Sequence, residues 1–156
     1  MSIREANEAD AAGMVALSER KRSFYETYSP IFWRKSDQSS EVQLPYFKEL
    51  IKSDDYITLV NEDNKQLNGF IIGHITIAPE VYDPGGKVCI IDDFAILGDV
   101  DWQTIGAALK SALELLLRKK KVKLTITVCG HLDESKREFL SSSGDRLTSE
   151  WYVKEL

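Results

Sequence analysis

Two adjacent carboxylates, Asp92 and Asp93, sit inside the apolar run KVCIIDDFAIL at residues 87–97. A carboxylate in such a strand costs free energy unless it is paired, hydrogen-bonded or put to use. One chemical use is to anchor an ammonium group or to take its proton, directly or through one water. Strand alternation puts the two acids on opposite faces, Asp92 with Phe94 and Ile96, Asp93 with Ala95 and Leu97. The plain alternative is a structural carboxylate bonded to a loop. A second cluster, Tyr25, Tyr28, Phe32 and Trp33, has rings able to stack on or enclose a small ligand, and also reads as ordinary core. His74 shares a strand face with Thr76 and reads as a satisfied or solvated histidine. Cys89 and Cys129 are too few and too far apart for a zinc site or a disulfide framework, so no metal is expected.

These residues need a scaffold, and the chain has the size for one domain spanning residues 1–156. With 43% hydrophobic residues it can build a sizeable core. No stretch approaches the roughly 20 apolar residues that cross a bilayer. The opening residues lack a signal pattern, so a soluble cytoplasmic protein with no membrane partner is expected. A net charge of -5 argues against a nucleic-acid partner, which needs a basic surface. The one basic block, residues 118–121, suits a helix C-terminus facing water.

Periodicity then orders the elements. Residues 2–6 read as a short strand, and Asn7 with Asp10 as a capping box opening a helix to about Ser23. Residues 24–40 read as irregular, and a second helix occupies about 45–52 with Pro45 in its first turn. Strands 56–61 and 67–78 form an antiparallel hairpin, followed by a central strand over 87–97. A helix over 103–119, a strand over 122–128, a helix over 133–142 and a last strand at EWYVKEL complete the order. The helix between strands 87–97 and 122–128 makes a crossover, so those two run parallel. The fold class is α+β: a six- to seven-stranded, mostly antiparallel sheet with a central parallel pair and about four helices.

This order, read with its motifs, resembles the GNAT superfamily of N-acetyltransferases over nearly the whole chain. Ser2-Ile3-Arg4-Glu5-Ala6 and Glu8-Ala9-Asp10-Ala11 are similar to the family's opening strand and helix. Gln103-Thr104-Ile105-Gly106-Ala107-Ala108 resembles its pyrophosphate loop, which is Gln or Arg, two residues, Gly, one residue, then Gly or Ala. Phe139 and Gly144 resemble anchors of its late helix. Tyr82-Asp83-Pro84 and Ile91-Asp92-Asp93-Phe94 are most similar to the diamine (polyamine) acetyltransferases.

The resemblance implies acetyl-CoA as co-substrate and a primary amine of a small molecule or peptide as acceptor. A helix N-terminus suits a pyrophosphate, because it offers free N–H groups and a partial positive charge. Small residues at Gly106 and Ala108 let the phosphates approach. The main chain at Phe94, Ala95 and Ile96 is expected to face the pantetheine arm where the parallel strands splay, and an N–H there to polarise the thioester oxygen. An acid stands at the position of Asp92 in the resembling polyamine enzymes, which makes it the base or ammonium anchor, with Asp93 second. Tyr25, Tyr28, Phe32 and Trp33 are the candidate acceptor wall.

Three features depart from the pattern. Leu140 stands where the family's general acid is a Tyr, leaving Cys129, His131 and Ser141 as nearby substitutes. Asp99 and Asp101 precede the loop, where inward-facing carboxylates repel a diphosphate and Asp101 can cap the helix. The loop from Ile96 to Gln103 is also about two residues longer than usual. The alternative function is therefore a GNAT-shaped CoA-binding or protein-interaction module with impaired catalysis. An exposed sheet edge and the terminal strand are compatible with a homodimer.

Overall fold

The computed structural model describes residues 2–98 and 101–156. It contains six strands: β1 (Ser2–Glu5), β2 (Tyr56–Asp63), β3 (Gln66–Thr76), β4 (Val88–Ile91), β5 (Phe94–Ile96) and β6 (Leu124–Thr127). The helices are α1 (Ala11–Tyr28), α2 (Ser39–Lys52), α3 (Ala107–Lys119) and α4 (Glu134–Ser142). Strand order is β1-β2-β3-β4-β6, with β5 continuing past β4 to pair with β3. All pairings are antiparallel except β4 with β6, which the α3 crossover makes parallel. The α+β class, the hairpin and the parallel pair are as expected from sequence.

The sheet is covered on two faces. On one, Met14, Leu17, Phe47 and Leu50 of α1 and α2 meet Val60, Phe70, Ile72 and Ala95. On the other, Leu109, Leu113, Phe139 and Leu140 of α3 and α4 meet Ile57, Ile71, Ile91 and Phe94. β2 and β3 thus carry apolar residues on both sides, which explains why they read as near-continuous apolar runs.

The capping box is present: the Asn7 side chain accepts from the Ala9 N–H at 2.9 Å, and Asp10 accepts from the Asn7 N–H at 2.8 Å. Asp10 also takes both nitrogens of the Arg4 fork, at 2.7 and 2.9 Å, which ties α1 to β1. Beyond this point α1 differs from expectation. It runs to Tyr28, because burial of Tyr25 against α4 carries the helix through residues of ordinary propensity. α2 begins at Ser39, so Pro45 stands inside it and not in its first turn. The Glu41 carbonyl loses its partner there, but both residues are exposed and water can replace the bond.

Two further differences bear on function. The terminal EWYVKEL segment forms no strand, and residues 146–156 are exposed throughout, leaving β6 with a single neighbour among the described residues. The expected continuous strand 87–97 is also broken. Ile91 and Phe94, three residues apart, both face α3 and α4, while Asp93 faces α1. That spacing requires one extra residue, so Asp92–Asp93 form a bulge and the alternation used to separate the two acids fails.

Candidate functional site

The bulge is where the two parallel strands part. β4 and β6 are in register from Val88/Leu124 to Ile91/Thr127, and the Val128 N–H still donates to the Ile91 carbonyl at 2.9 Å. Past that point β5 pairs only with β3, on its other side. The Ile72 N–H donates to the Asp93 carbonyl and the Leu97 N–H to the Asn68 carbonyl, so residues 93, 95 and 97 bond toward β3. The main-chain groups of Phe94 and Ile96 therefore point into the gap between β5 and the chain leaving β6.

That gap is held by a residue the sequence analysis did not single out. Lys136, in the first turn of α4, is 1% exposed. Its Nζ donates to the Phe94 and Val128 carbonyls, each at 3.1 Å, and so bridges the parted strands. The same Nζ lies 5.3 Å from the Phe94 ring centre and 5.4 Å from that of Trp102. Burial, with repulsion from Lys21 second, pushes its ammonium down to about 8. Helical spacing holds the signal that could have found it: Asp133, Lys136, Phe139 and Leu140 are the buried positions of one α4 face.

Of the two acids, Asp93 is committed to an ion pair with Lys21 at 3.2 Å. Asp92 is exposed and has no ion pair among the described residues. The charges of both acids reach Tyr46 of α2, whose hydroxyl burial and the neighbouring Tyr56 push up, with smaller contributions from Asp93 and Asp92. Tyr56 stacks on His74 at 4.4 Å. Thus Tyr46, Tyr56, His74, Asp92 and Asp93 gather at the α2 side of the bulge. A separate cleft lined by Arg4, Asp10, Gly13, Arg20, Lys65 and Leu97 contains neither acid.

The aromatic cluster sits across the end of β6. The Tyr25 hydroxyl donates to Asp133 at 2.7 Å and accepts from the Gly130 N–H at 3.1 Å, while Asp133 caps α4. Tyr25 is therefore a buried brace between α1 and α4. Tyr28 packs edge-on to His131, and Trp33 lies between Tyr25 and Phe32. Phe32 is 43% exposed and presents the most accessible ring of the four expected wall residues. A Cβ on Gly130 would lie 1.9 Å from the Tyr28 hydroxyl oxygen and 2.9 Å from the Tyr25 ring. Because Tyr25 is bonded in place, Gly130→Ala is expected to destabilise the protein by about 2 kcal/mol or more. An unchanged denaturation midpoint would show that the rings retreat freely.

The expected pyrophosphate loop lies within a helical start. Residues Trp102–Gly106 form a π-helical turn that runs into α3. Gln103 and Thr104 are exposed, Ala107 and Ala108 half-buried, and Ile105 and Gly106 buried. A Cβ on Gly106 would meet the Trp102 ring at 2.7 Å, so this glycine makes room for Trp102. Trp102 in turn stacks on Phe139 at 5.6 Å. The Asp101 side chain does not cap the opening of this turn, so its first N–H groups have no side-chain acceptor among the described residues. Asp99 lies outside the described residues. For a nucleotide thioester, then, the fit rests on main chain: the side of β5 turned away from β3, on which Lys136 already takes the Phe94 carbonyl, and a helix end without a side-chain cap. The small side chains of the motif serve internal packing.

No family model matches the chain, and no curated protein matches it in sequence. Its structure is another matter. The BH1408 protein of Bacillus halodurans superposes with a TM-score of 0.86 at 17% identity, over 100% of this chain and 99% of that one. A predicted acetyltransferase of Clostridium acetobutylicum, solved with acetyl-CoA, gives 0.77 at 15% identity over 99% and 95%. An aminoglycoside 6'-N-acetyltransferase of Acinetobacter haemolyticus gives 0.74 at 13% identity over 100% and 99%. The chain has the GNAT fold. In this GNAT scaffold the late-helix position expected to carry an acid is Leu140, which is buried in the core. Among the substitutes, the Cys129 thiol is pushed up to about 11, chiefly by burial, and donates to the Gly130 carbonyl at 3.4 Å. His131 and Ser141 are exposed. No helix among the described residues is long and apolar enough to cross a membrane, and no metal-binding group is found among them.

Proposed function

We propose that this chain is an acetyl-CoA-dependent N-acetyltransferase that acts on a primary amine of a small molecule or peptide. The observation that carries it is the parting of β4–β5 from β6 at a bulge bearing Asp92, with Phe94 and Ile96 main chain turned into the gap. Acetyl-CoA, when bound, supplies the activated acetyl group. Phe94 and Ile96 main chain hold its amide-bearing arm, and the N–H groups of Gln103, Thr104 and Ile105 hold its diphosphate. Asp92 anchors the acceptor ammonium and takes its proton. Asp93, neutralised by Lys21, fixes the bulge and with it the position of Asp92. Tyr28, Phe32 and Trp33 wall the acceptor, while Tyr25 holds α1 against α4. A location in the cytoplasm agrees with this chemistry.

A second reading rests on Lys136. Its ammonium already occupies the Phe94 carbonyl in the gap, and Leu140 offers no proton. A chain in which that bridge never yields is a GNAT-shaped binding module without catalysis. Calorimetry with acetyl-CoA followed by an amine panel scored for free thiol separates the two. Binding with thiol release on at least one polyamine, aminoglycoside, amino acid or peptide is expected. Binding without release across the panel would favour the module, and no binding would remove both.

A further inference from the structure

Among the described residues two lysines are buried, and they are held in opposite ways. Burial works against the Lys110 ammonium, but Glu114 and Asp145 on its Nζ outweigh it and raise its affinity for the proton. Lys136 has no carboxylate on its Nζ, whose partners are the Phe94 and Val128 carbonyls. The carboxylates whose charge reaches it are bonded elsewhere. Asp133 takes the Tyr25 hydroxyl at 2.7 Å and the Lys136 main-chain N–H at 3.3 Å, and Asp93 pairs with Lys21.

Two carbonyls do not demand a charge. A neutral amine has two N–H groups, which satisfy both acceptors and leave the nitrogen lone pair unshared. Burial and the Lys21 charge lower the Lys136 ammonium, against the opposing pull of Cys129, Asp133 and Asp93. A lysine desolvated beside a second cation is in the state in which its amine becomes a nucleophile. The place of this amine is the gap between β5 and the chain leaving β6, on the Phe94 main chain proposed to hold the arm of acetyl-CoA. An arm seated there takes the Phe94 carbonyl from the Nζ and brings an acylating carbon to a freed amine.

We propose that this chain also acetylates itself, at the Nζ of Lys136, when acetyl-CoA enters the gap. The inference rests on acetyl-CoA occupying this gap, as proposed for the transferase. The Nζ lone pair forms a bond to the acetyl carbonyl carbon, the carbon–sulfur bond breaks, and the sulfur keeps that electron pair. One of the two amine protons leaves the nitrogen and ends on the sulfur, giving N-acetyllysine and free CoA thiol. The product amide is uncharged and keeps a single N–H for two carbonyls. Its acetyl group stays where the thioester lay, so the modified chain admits a second acetyl-CoA poorly. Self-acetylation is thereby limited to one turnover per chain.

The test incubates the full-length chain with acetyl-CoA and no added amine, and follows intact mass and a peptide map. One acetyl group is expected on Lys136, at a rate that saturates with acetyl-CoA and exceeds the rate at the same residue in urea by roughly tenfold or more. Between pH 7 and 8 that rate should rise about fivefold and level off by about pH 9, whereas an exposed lysine gains about tenfold per pH unit throughout. Binding is read separately with CoA, which has no acetyl group to give: the Lys136 Cε resonance of the carbon-13-labelled chain should shift saturably. Lys136→Met, checked by circular dichroism, should keep only slow, non-saturating modification of exposed lysines such as Lys119 and Lys120. A saturable shift with CoA, but no acetylation of Lys136 beyond that seen in urea, would overturn this proposal and leave the acetyl-CoA reading standing. Neither shift nor acetylation would overturn both.

Discussion

Lys136→Ala is expected to destabilise the protein by about 3 kcal/mol or more, read from the denaturant midpoint. The substitution empties a fully buried site and leaves the Phe94 and Val128 carbonyls without their donor. Release from burying a charge offsets part of this loss, which is why Lys136→Met, retaining the volume, should cost less. The pH dependence isolates the ammonium. Its folded value is about 8 against 10.5 when unfolded, so between these limits the unfolded chain binds the extra proton. Burial of the charge costs its full amount below about pH 8, and stability rises as pH climbs from there toward 10.5. Raised values at Cys129 and Tyr25 act oppositely above about pH 9, where the unfolded groups ionise first. Between pH 7 and 9 the parent should therefore gain about 1 kcal/mol relative to Lys136→Met. Parallel pH curves for the two proteins would show that Lys136 titrates normally.

Asp92→Asn should lower kcat at least tenfold with the best amine acceptor, leaving acetyl-CoA affinity and the denaturation midpoint unchanged. The isosteric amide cannot take a proton or anchor an ammonium, which is the loss expected of a general base. Asp93→Asn has a different signature. It breaks the ion pair with Lys21, so its main effect should be on stability. Equal kinetics for Asp92→Asn and the parent would remove this acid from the mechanism.

The layered fold was legible because each of its elements is locally consistent: the Asn7–Asp10 box, the apolar runs of β2 to β4, and the helical spacing of Ile105, Leu109, Leu113 and Leu116. What escaped has physical causes. The bulge at Asp92–Asp93 breaks strand periodicity without any glycine or proline to mark it, so alternation assigned the acids to opposite faces. Burial of Tyr25 through a bond to Asp133 extends α1 by more than a turn, and that partner lies 108 positions away. Lys136 shares the buried helical spacing of Phe139 and Leu140, yet a lysine early in a helix ordinarily faces water, and only the parting of β5 from β6 supplies carbonyls for it. Gly106 fits a phosphate-loop pattern in sequence, yet its lack of a side chain is explained by the Trp102 ring. The EWYVKEL segment has strand composition but pairs with no strand among the described residues.

The gap at the bulge is tested most directly by titrating the isotope-labelled chain with acetyl-CoA and following backbone amide resonances. Saturable shifts centred on Phe94, Ile96, Gln103, Thr104 and Ile105 are predicted. Amides at those five positions that stay fixed, while acetyl-CoA is present in large excess, would contradict the account.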